Sequence, residues 1–224
     1  MTRTKILKIL VDILMYSDFV FLMNYGTDHR LFLHGCLGFA LFALVLLHNL
    51  LNLWFFKTAG KGKYSAKRIV LNVTDWLLIA LIIVMGVSSI MMTGLVFEWS
   101  PIRTTQAGRI LHLSSCSWGF IVMSFHLGLH TETPLKKLDR KIESRGSRFL
   151  KAFVNSIYAV IALLGIFAFY KSQLYVYLFN TGGWKMSAMY LVTGILEYVG
   201  ITAGMCMLIH LFYKVKSSRV RPYN

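Results

Sequence analysis

The chain has 224 residues, of which 56% are hydrophobic and only 15% are charged, and its mean hydropathy is +0.60. A water-soluble domain cannot bury that much apolar sequence, so the composition excludes a soluble enzyme and indicates an all-α integral membrane protein. A bilayer core of roughly 30 Å needs about 20 apolar residues per helical crossing, so this length accommodates six crossings and leaves no room for a soluble catalytic domain.

Hydropathy along the chain predicts six transmembrane helices. The first begins with Lys5 and Lys8, but we expect it to be retained rather than cleaved as a signal peptide, because Asp12 and Asp18 interrupt it and no small-residue cleavage site follows. The predicted spans cover residues 6–25, 31–56, 69–97, 106–129, 149–170 and 186–212.

The longest polar stretch divides the chain into three parts. Residues 131–148 are dense in charge and contain Pro134 and Gly146, which predicts a basic cytoplasmic loop. Residues 1–130 before it form a predicted four-helix membrane domain, and residues 149–224 after it add two further transmembrane helices and a tail.

The net charge of +15 is distributed in a way that predicts topology. Of the 24 basic residues, 19 lie in residues 3–8, 57–68, 136–151 and 214–221, which six crossings place on one side of the membrane. The other five are Arg30, Arg103, Arg109, Lys171 and Lys185. Basic loops stay on the cytoplasmic side, so we expect cytoplasmic N- and C-termini in a bacterial inner membrane, and we disfavour nucleic-acid binding.

The three cysteines do not indicate a covalently attached cofactor. Cys36, Cys116 and Cys206 all lie within predicted spans, and the sequence contains no CxxCH haem-attachment motif. We interpret them as packing residues, so any cofactor is held by non-covalent ligands.

Four intramembrane histidines recur at one spacing. His34 and His48 are 14 residues apart, and so are His112 and His126. Fourteen residues of helix advance roughly 21 Å and return to within about 40° of the starting face. Spans two and four run in the same direction, so the spacing predicts that His34 is level with His112 and that His48 is level with His126.

The helix that precedes each pair also carries an acidic residue near its inner end. Asp12 precedes the pair that begins at Leu33-His34, and Asp75 precedes the pair that begins at Leu111-His112. This recurrence is typical of a two-helix duplication. It is not seen in the last two spans.

Two facing imidazoles per level suit an iron porphyrin better than a bare metal ion. Zinc usually takes three or four protein ligands, and neither level offers a third. Two imidazoles fill both axial positions of a haem iron, which favours electron transfer over oxygen binding. The alternative is that each histidine makes an interhelical hydrogen bond.

Neighbouring residues would complete these sites. Gly119 lies seven residues from both His112 and His126, on the stripe between the two levels, where either a flat cofactor or close helix packing explains it. His130 is one turn beyond His126; we prefer His126 as the inner ligand and leave His130 as a neighbour of a propionate or a quinone. Arg109 is the best candidate for a propionate partner in the outer leaflet, ahead of Arg30 and Arg103, although interfacial anchoring explains all three equally well.

The LH-x13-H pattern of spans two and four, with the LGLH ending after His126, resembles transmembrane cytochromes b that hold two bis-histidine haems. It is also similar to an uncharacterised bacterial four-helix family found with flavin-carrying electron-transfer proteins. The resemblance covers about residues 5–130. It implies two non-covalent b-type haems bound by His34, His112, His48 and His126, and the passage of electrons across the membrane.

The predicted function is therefore that of an electron-transfer subunit of an oxidoreductase complex rather than a complete enzyme. The sequence contains no GxGxxG after a strand, so a quinol, or a flavoprotein or iron-sulfur partner, would supply or accept electrons. Glu197 is a candidate for a quinone site, with a structural hydrogen bond as the alternative. The rival function is a cofactor-free transporter or channel that uses intramembrane His and acidic residues. His29 and His210 lie near span ends, where we expect solvation at the interface.

Overall fold

The computed structural model of the chain describes residues 2–24, 31–92, 105–180 and 191–220. Within those ranges all regular secondary structure is helical, which confirms the predicted all-α class. The helices are α1 (Arg3–Asn24), α2 (Leu31–Leu51), α3 (Leu53–Thr58), α4 (Ala66–Met92), α5 (Gln106–Glu143), α6 (Arg148–Lys171), α7 (Leu174–Phe179) and α8 (Leu191–Val220). Of the predicted interfacial residues, His29, Arg30 and Arg103 lie outside the described ranges.

Five of these helices are long and apolar enough to cross a membrane, as expected for a multi-pass membrane protein. They are α2, α4, α5, α6 and the Val192–Lys216 part of α8. The first predicted span is also a helix, but every 18-residue stretch of α1 contains at least three charged residues. The sixth crossing therefore stays a prediction.

The bundle is organised around α5, which packs against both α4 and α8. Helix α8 also packs along α6 and touches α1, and α1 in turn packs along α2. Phe120 of α5 is fully buried in the core and contacts Phe19 of α1 and Tyr198 of α8, with ring centroids 6.1 and 5.0 Å away. The two C-terminal spans are thus part of the same bundle as the histidine-bearing helices.

Close contact between glycines joins α6 to α8. A Cβ atom on Gly165 would lie 2.5 Å from the Cα atom of Gly204 and 2.9 Å from the carbonyl oxygen of Gly200. Only glycine allows the two backbones to come this close, as at the small-residue interfaces of other membrane helices.

The basic segments lie at one end of the bundle. Lys8 of α1 donates a hydrogen bond to Asn52 after α2, over 2.9 Å. Lys67 of α4 pairs with buried Glu132 of α5 at 2.9 Å, and Lys214 of α8 pairs with Asp139 of α5 at 2.6 Å. We call this the basic end. It gathers the segments whose charges predict a cytoplasmic side.

The segment predicted as a loop over residues 131–148 is mostly helical. Helix α5 continues through Pro134 to Glu143, and only residues 144–147 form the turn before α6. The charged residues beyond Pro134 favour helix by propensity, and contacts from Lys67 and Lys214 to the acidic residues of this segment hold it against α4 and α8.

A buried polar cluster locks α5, α6 and α8 together at the basic end. Asp139 accepts hydrogen bonds from Lys214 at 2.6 Å, from His210 Nε2 at 3.1 Å and from the Tyr158 hydroxyl at 3.3 Å. Lys214 also donates to Asn155 of α6 at 2.7 Å. His210 is only 2% exposed, so the expectation that it is solvated was wrong. Its carboxylate partner, Asp139, lies in a part of α5 for which the sequence predicts a loop.

Candidate functional site

His34 of α2 and His112 of α5 come together at the end of the bundle opposite the basic end. Their ring centroids are 6.3 Å apart and the ring planes are at 68° to one another. Nitrogen–metal bonds of about 2 Å on each side of one ion, plus the distance from each nitrogen to its ring centre, separate two axial imidazole centroids by roughly 6 Å. The couple therefore has the spacing that one metal held between two imidazoles requires.

Hydrogen bonding around His112 leaves its Nε2 atom available as a ligand. The Ser89 hydroxyl donates to the Met85 carbonyl oxygen at 2.7 Å, so its oxygen accepts from His112 Nδ1 at 3.2 Å. This assigns the proton of a neutral His112 to Nδ1. The Nε2 atom has only a weak contact, with Cys116 Sγ at 3.7 Å.

The two histidines nearer the basic end each meet a carboxylate from the preceding helix of the repeat. His48 Nδ1 donates to Asp12 Oδ1 at 2.7 Å. His126 Nδ1 lies 2.9 Å from Asp75 Oδ1, a contact with the distance of an ion pair but not the angle of a hydrogen bond. Metal-binding histidines typically have such a carboxylate on the nitrogen that does not bind the metal. In both repeats, Nε2 is thus the atom left to bind.

The inner histidines are not brought into a couple as close as the outer one. Among the described residues, no ring contact joins His48 to His126, whereas the ring of His126 lies 4.5 Å from that of His130, centroid to centroid. His130 is exposed, and the carboxylate of Asp75 contacts His126 rather than His130. The carboxylate contact favours His126 over His130 as the residue set up for binding.

The other residues that the sequence predicts near the histidines have ordinary packing environments. Gly119 is buried, and a Cβ atom there would lie 3.6 Å from the ring of Phe19 on α1, which is a normal packing distance. Arg109 is half-buried in the first turn of α5, one turn before His112. Among the described residues, no atom lies within 4 Å of a Cβ placed on Gly38, one turn after His34.

Glu197 lies within the first two turns of the described part of α8. Its Oε1 atom pairs with Lys171 Nζ, the last residue of α6, at 3.0 Å. The carboxylate side chain is 8% exposed and the lysine is 55% exposed. Sequence reasoning treated Lys171 and Glu197 separately, because nothing in the spacing of the chain shows that the end of α6 meets the start of α8.

A bare metal ion finds no multidentate site here. Among the described residues, no group of three or more His, Cys, Asp and Glu side chains is arranged to hold an ion. A haem iron needs only two protein ligands, which is the number that the His34–His112 couple offers.

Comparison of the chain with protein-family models, with curated proteins and with solved structures finds no match in any of the three. Function is therefore inferred from the geometry of the histidines themselves.

Proposed function

We propose that this protein is a membrane b-type cytochrome that carries electrons across a bacterial cytoplasmic membrane, between a quinol or redox partner and an acceptor protein. The observation that carries the proposal is the repeated histidine arrangement. In each repeat one helix offers His34 or His112 to a shared outer couple, while His48 or His126 is held by a carboxylate from the helix before it.

Two non-covalent haems would be held by these residues, an outer one by His34 and His112 and an inner one by His48 and His126. When bound, haem supplies reversible one-electron chemistry. The chain's own residues would set the conditions for it. Ser89 fixes the tautomer of His112, and the carboxylates of Asp12 and Asp75 orient the rings of the inner histidines.

The charge at the basic end supports cytoplasmic termini and an inner face that binds a soluble redox partner. Lysines and arginines are concentrated at this end, and most of them are exposed near the ends of helices or in the turns between them. The sequence contains no GxGxxG motif after a strand, so we propose that a flavoprotein or iron-sulfur protein docks at this end and exchanges electrons with the inner site. The proposed role is that of an electron-transfer subunit.

Difference spectra of purified variants test this function. We expect b-type bands on reduction of the wild-type protein, loss of one haem in His34→Ala or His112→Ala, and loss of the other in His48→Ala or His126→Ala. His210→Ala is the control for loss of a carboxylate-bonded histidine outside the repeat, and circular dichroism checks its folding because His210 belongs to the Asp139 cluster. A colourless wild-type preparation, or unchanged haem content in all four variants, would refute the proposal and favour the transporter alternative.

A further inference from the structure

A groove opens to the lipid-facing surface between α6 and α8, at the end of the bundle opposite the basic end. Its volume is about 310 Å³. The walls are formed by apolar side chains, among them Leu164, Phe167 and Leu196, which are 58 to 64% exposed. Lys171 and Glu197 also line it. The groove thus combines an apolar opening with one ion pair.

The carboxylate of Glu197 is only partly satisfied. Lys171 engages Oε1 at 3.0 Å, but Oε2 is buried and accepts a hydrogen bond from no residue in the part of the chain that the structure describes. Buried carboxylate oxygens are normally hydrogen-bonded, so we expect a bound molecule to donate a hydrogen bond to this oxygen. The groove is lined by apolar side chains apart from Lys171, Glu197 and Thr193, and Thr193 does not donate to this oxygen, so the donor would come from a molecule that enters from the membrane.

The chemistry of the groove selects the molecule. An acceptor oxygen needs an O–H or N–H donor, whereas a phospholipid phosphate offers only acceptors and would compete with Glu197 for Lys171. A volume at the lower end of the range for ligand pockets suits a single flat ring better than a whole lipid. A quinol has two hydroxyls on an apolar ring and a tail that stays in the membrane.

The groove also adjoins the outer histidine couple through the core. Ala168 lines the groove and belongs to the same buried cluster as Phe120 and Tyr198, against which Cys116 packs. Cys116 in turn lies 3.7 Å from His112 Nε2. The groove and the couple therefore contact the same buried cluster of side chains from different sides.

We infer that the groove between α6 and α8 binds the headgroup of a quinol, with Glu197 Oε2 accepting a hydrogen bond from one hydroxyl and Lys171 holding the carboxylate in place. This inference rests on the proposed electron-transfer function for its biological meaning, since it identifies where the lipid-soluble donor would bind. The binding itself depends only on the groove and its ion pair.

An alkyl hydroxyquinoline N-oxide, a fluorescent quinol analogue, tests the site by equilibrium titration of the full-length protein in detergent. We expect saturable quenching, and a loss of affinity of about tenfold or more in Glu197→Leu, because a hydrogen bond to a charged group is removed. Leu164→Trp would fill the groove and weaken binding without touching the ion pair. Leu163→Trp is its matched control, since Leu163 is the adjacent exposed residue and does not line the groove.

Haem content measured on the same samples separates this inference from the proposed function. Probe binding that depends on Glu197 and Leu164 supports the groove even if the protein holds no haem, in which case only the cytochrome proposal fails. Three results would overturn the quinol site. The wild-type protein does not bind the probe, the three variants all bind it as tightly as the wild type, or phospholipid alone displaces it. Circular dichroism of each variant establishes that lost binding is not lost folding.

Discussion

Replacement of Asp139 by asparagine should destabilise the bundle strongly, although the two side chains have the same shape. The carboxylate is 12% exposed and receives Lys214 at 2.6 Å and His210 at 3.1 Å. Removal of one member of a buried charge pair leaves the other charge uncompensated, at a cost of about 3–5 kcal/mol. We expect the lower end, about 3 kcal/mol, because Lys214 keeps 25% of its side chain exposed and its bond to Asn155.

The comparison variant is Glu143→Gln, in which a carboxylate paired with Lys151 at 2.8 Å is replaced where both side chains are about half exposed. Exposed pairs contribute about 0–1 kcal/mol, so this variant should unfold almost as the wild type does. The assay is equilibrium unfolding of the detergent-purified protein, followed by the loss of helical circular dichroism. If Asp139→Asn lowers the free energy of unfolding no more than Glu143→Gln does, the cluster does not join α5, α6 and α8 as described.

Two further predictions concern the repeat and the helix crossing. Asp75→Asn should weaken haem retention at the inner level by about tenfold, because His126 loses its carboxylate, and haem titration of the apoprotein measures this; an unchanged affinity would remove Asp75 from the site. Gly165→Leu should destabilise the bundle by about 1–3 kcal/mol, because its side chain meets the backbone of Gly204. Gly38→Ala is the control, because no described atom lies within 4 Å of a Cβ there. Its free energy of unfolding should stay within about 0.5 kcal/mol of the wild-type value in the same assay. Equal effects at both glycines would contradict the described crossing of α6 and α8.

Much of the fold could be predicted from apolar runs. The second predicted span, residues 31–56, corresponds to α2 and α3 with a turn at Asn52, and the fifth, residues 149–170, matches α6 closely. Hydropathy measures how apolar a segment is, and that is enough to locate helices of membrane length. It fails for residues 131–143, where charge and Pro134 indicated a loop, because contacts with α4 and α8 hold those residues in a helix.

The candidate site was partly visible in the sequence for a similar reason. Equal spacing on parallel helices predicted that His34 and His112 share a level, and their rings do meet. The repeated position of Asp12 and Asp75 signalled a common role, but only packing shows that each contacts a histidine. Periodicity gives the depth of a residue and its helix face, whereas the neighbour across the interface depends on how helices rotate against one another.

The same limit explains the error at His210 and the unpredicted partner of Glu197. Both were judged by their position along one predicted span, and each has its partner on another helix. Asp139 and Lys171 lie in segments read as loop or span end, so no pattern within α8 pointed to them. Pairing across helices is a property of the folded bundle.

The haem content of the purified wild-type chain tests the central proposal most directly. Pigment extracted and counted per polypeptide should give two non-covalent haems, each with the low-spin spectrum of an iron between two imidazoles. A protein that folds as a helical bundle, survives purification from a haem-replete membrane and yet contains no haem would contradict the electron-transfer function.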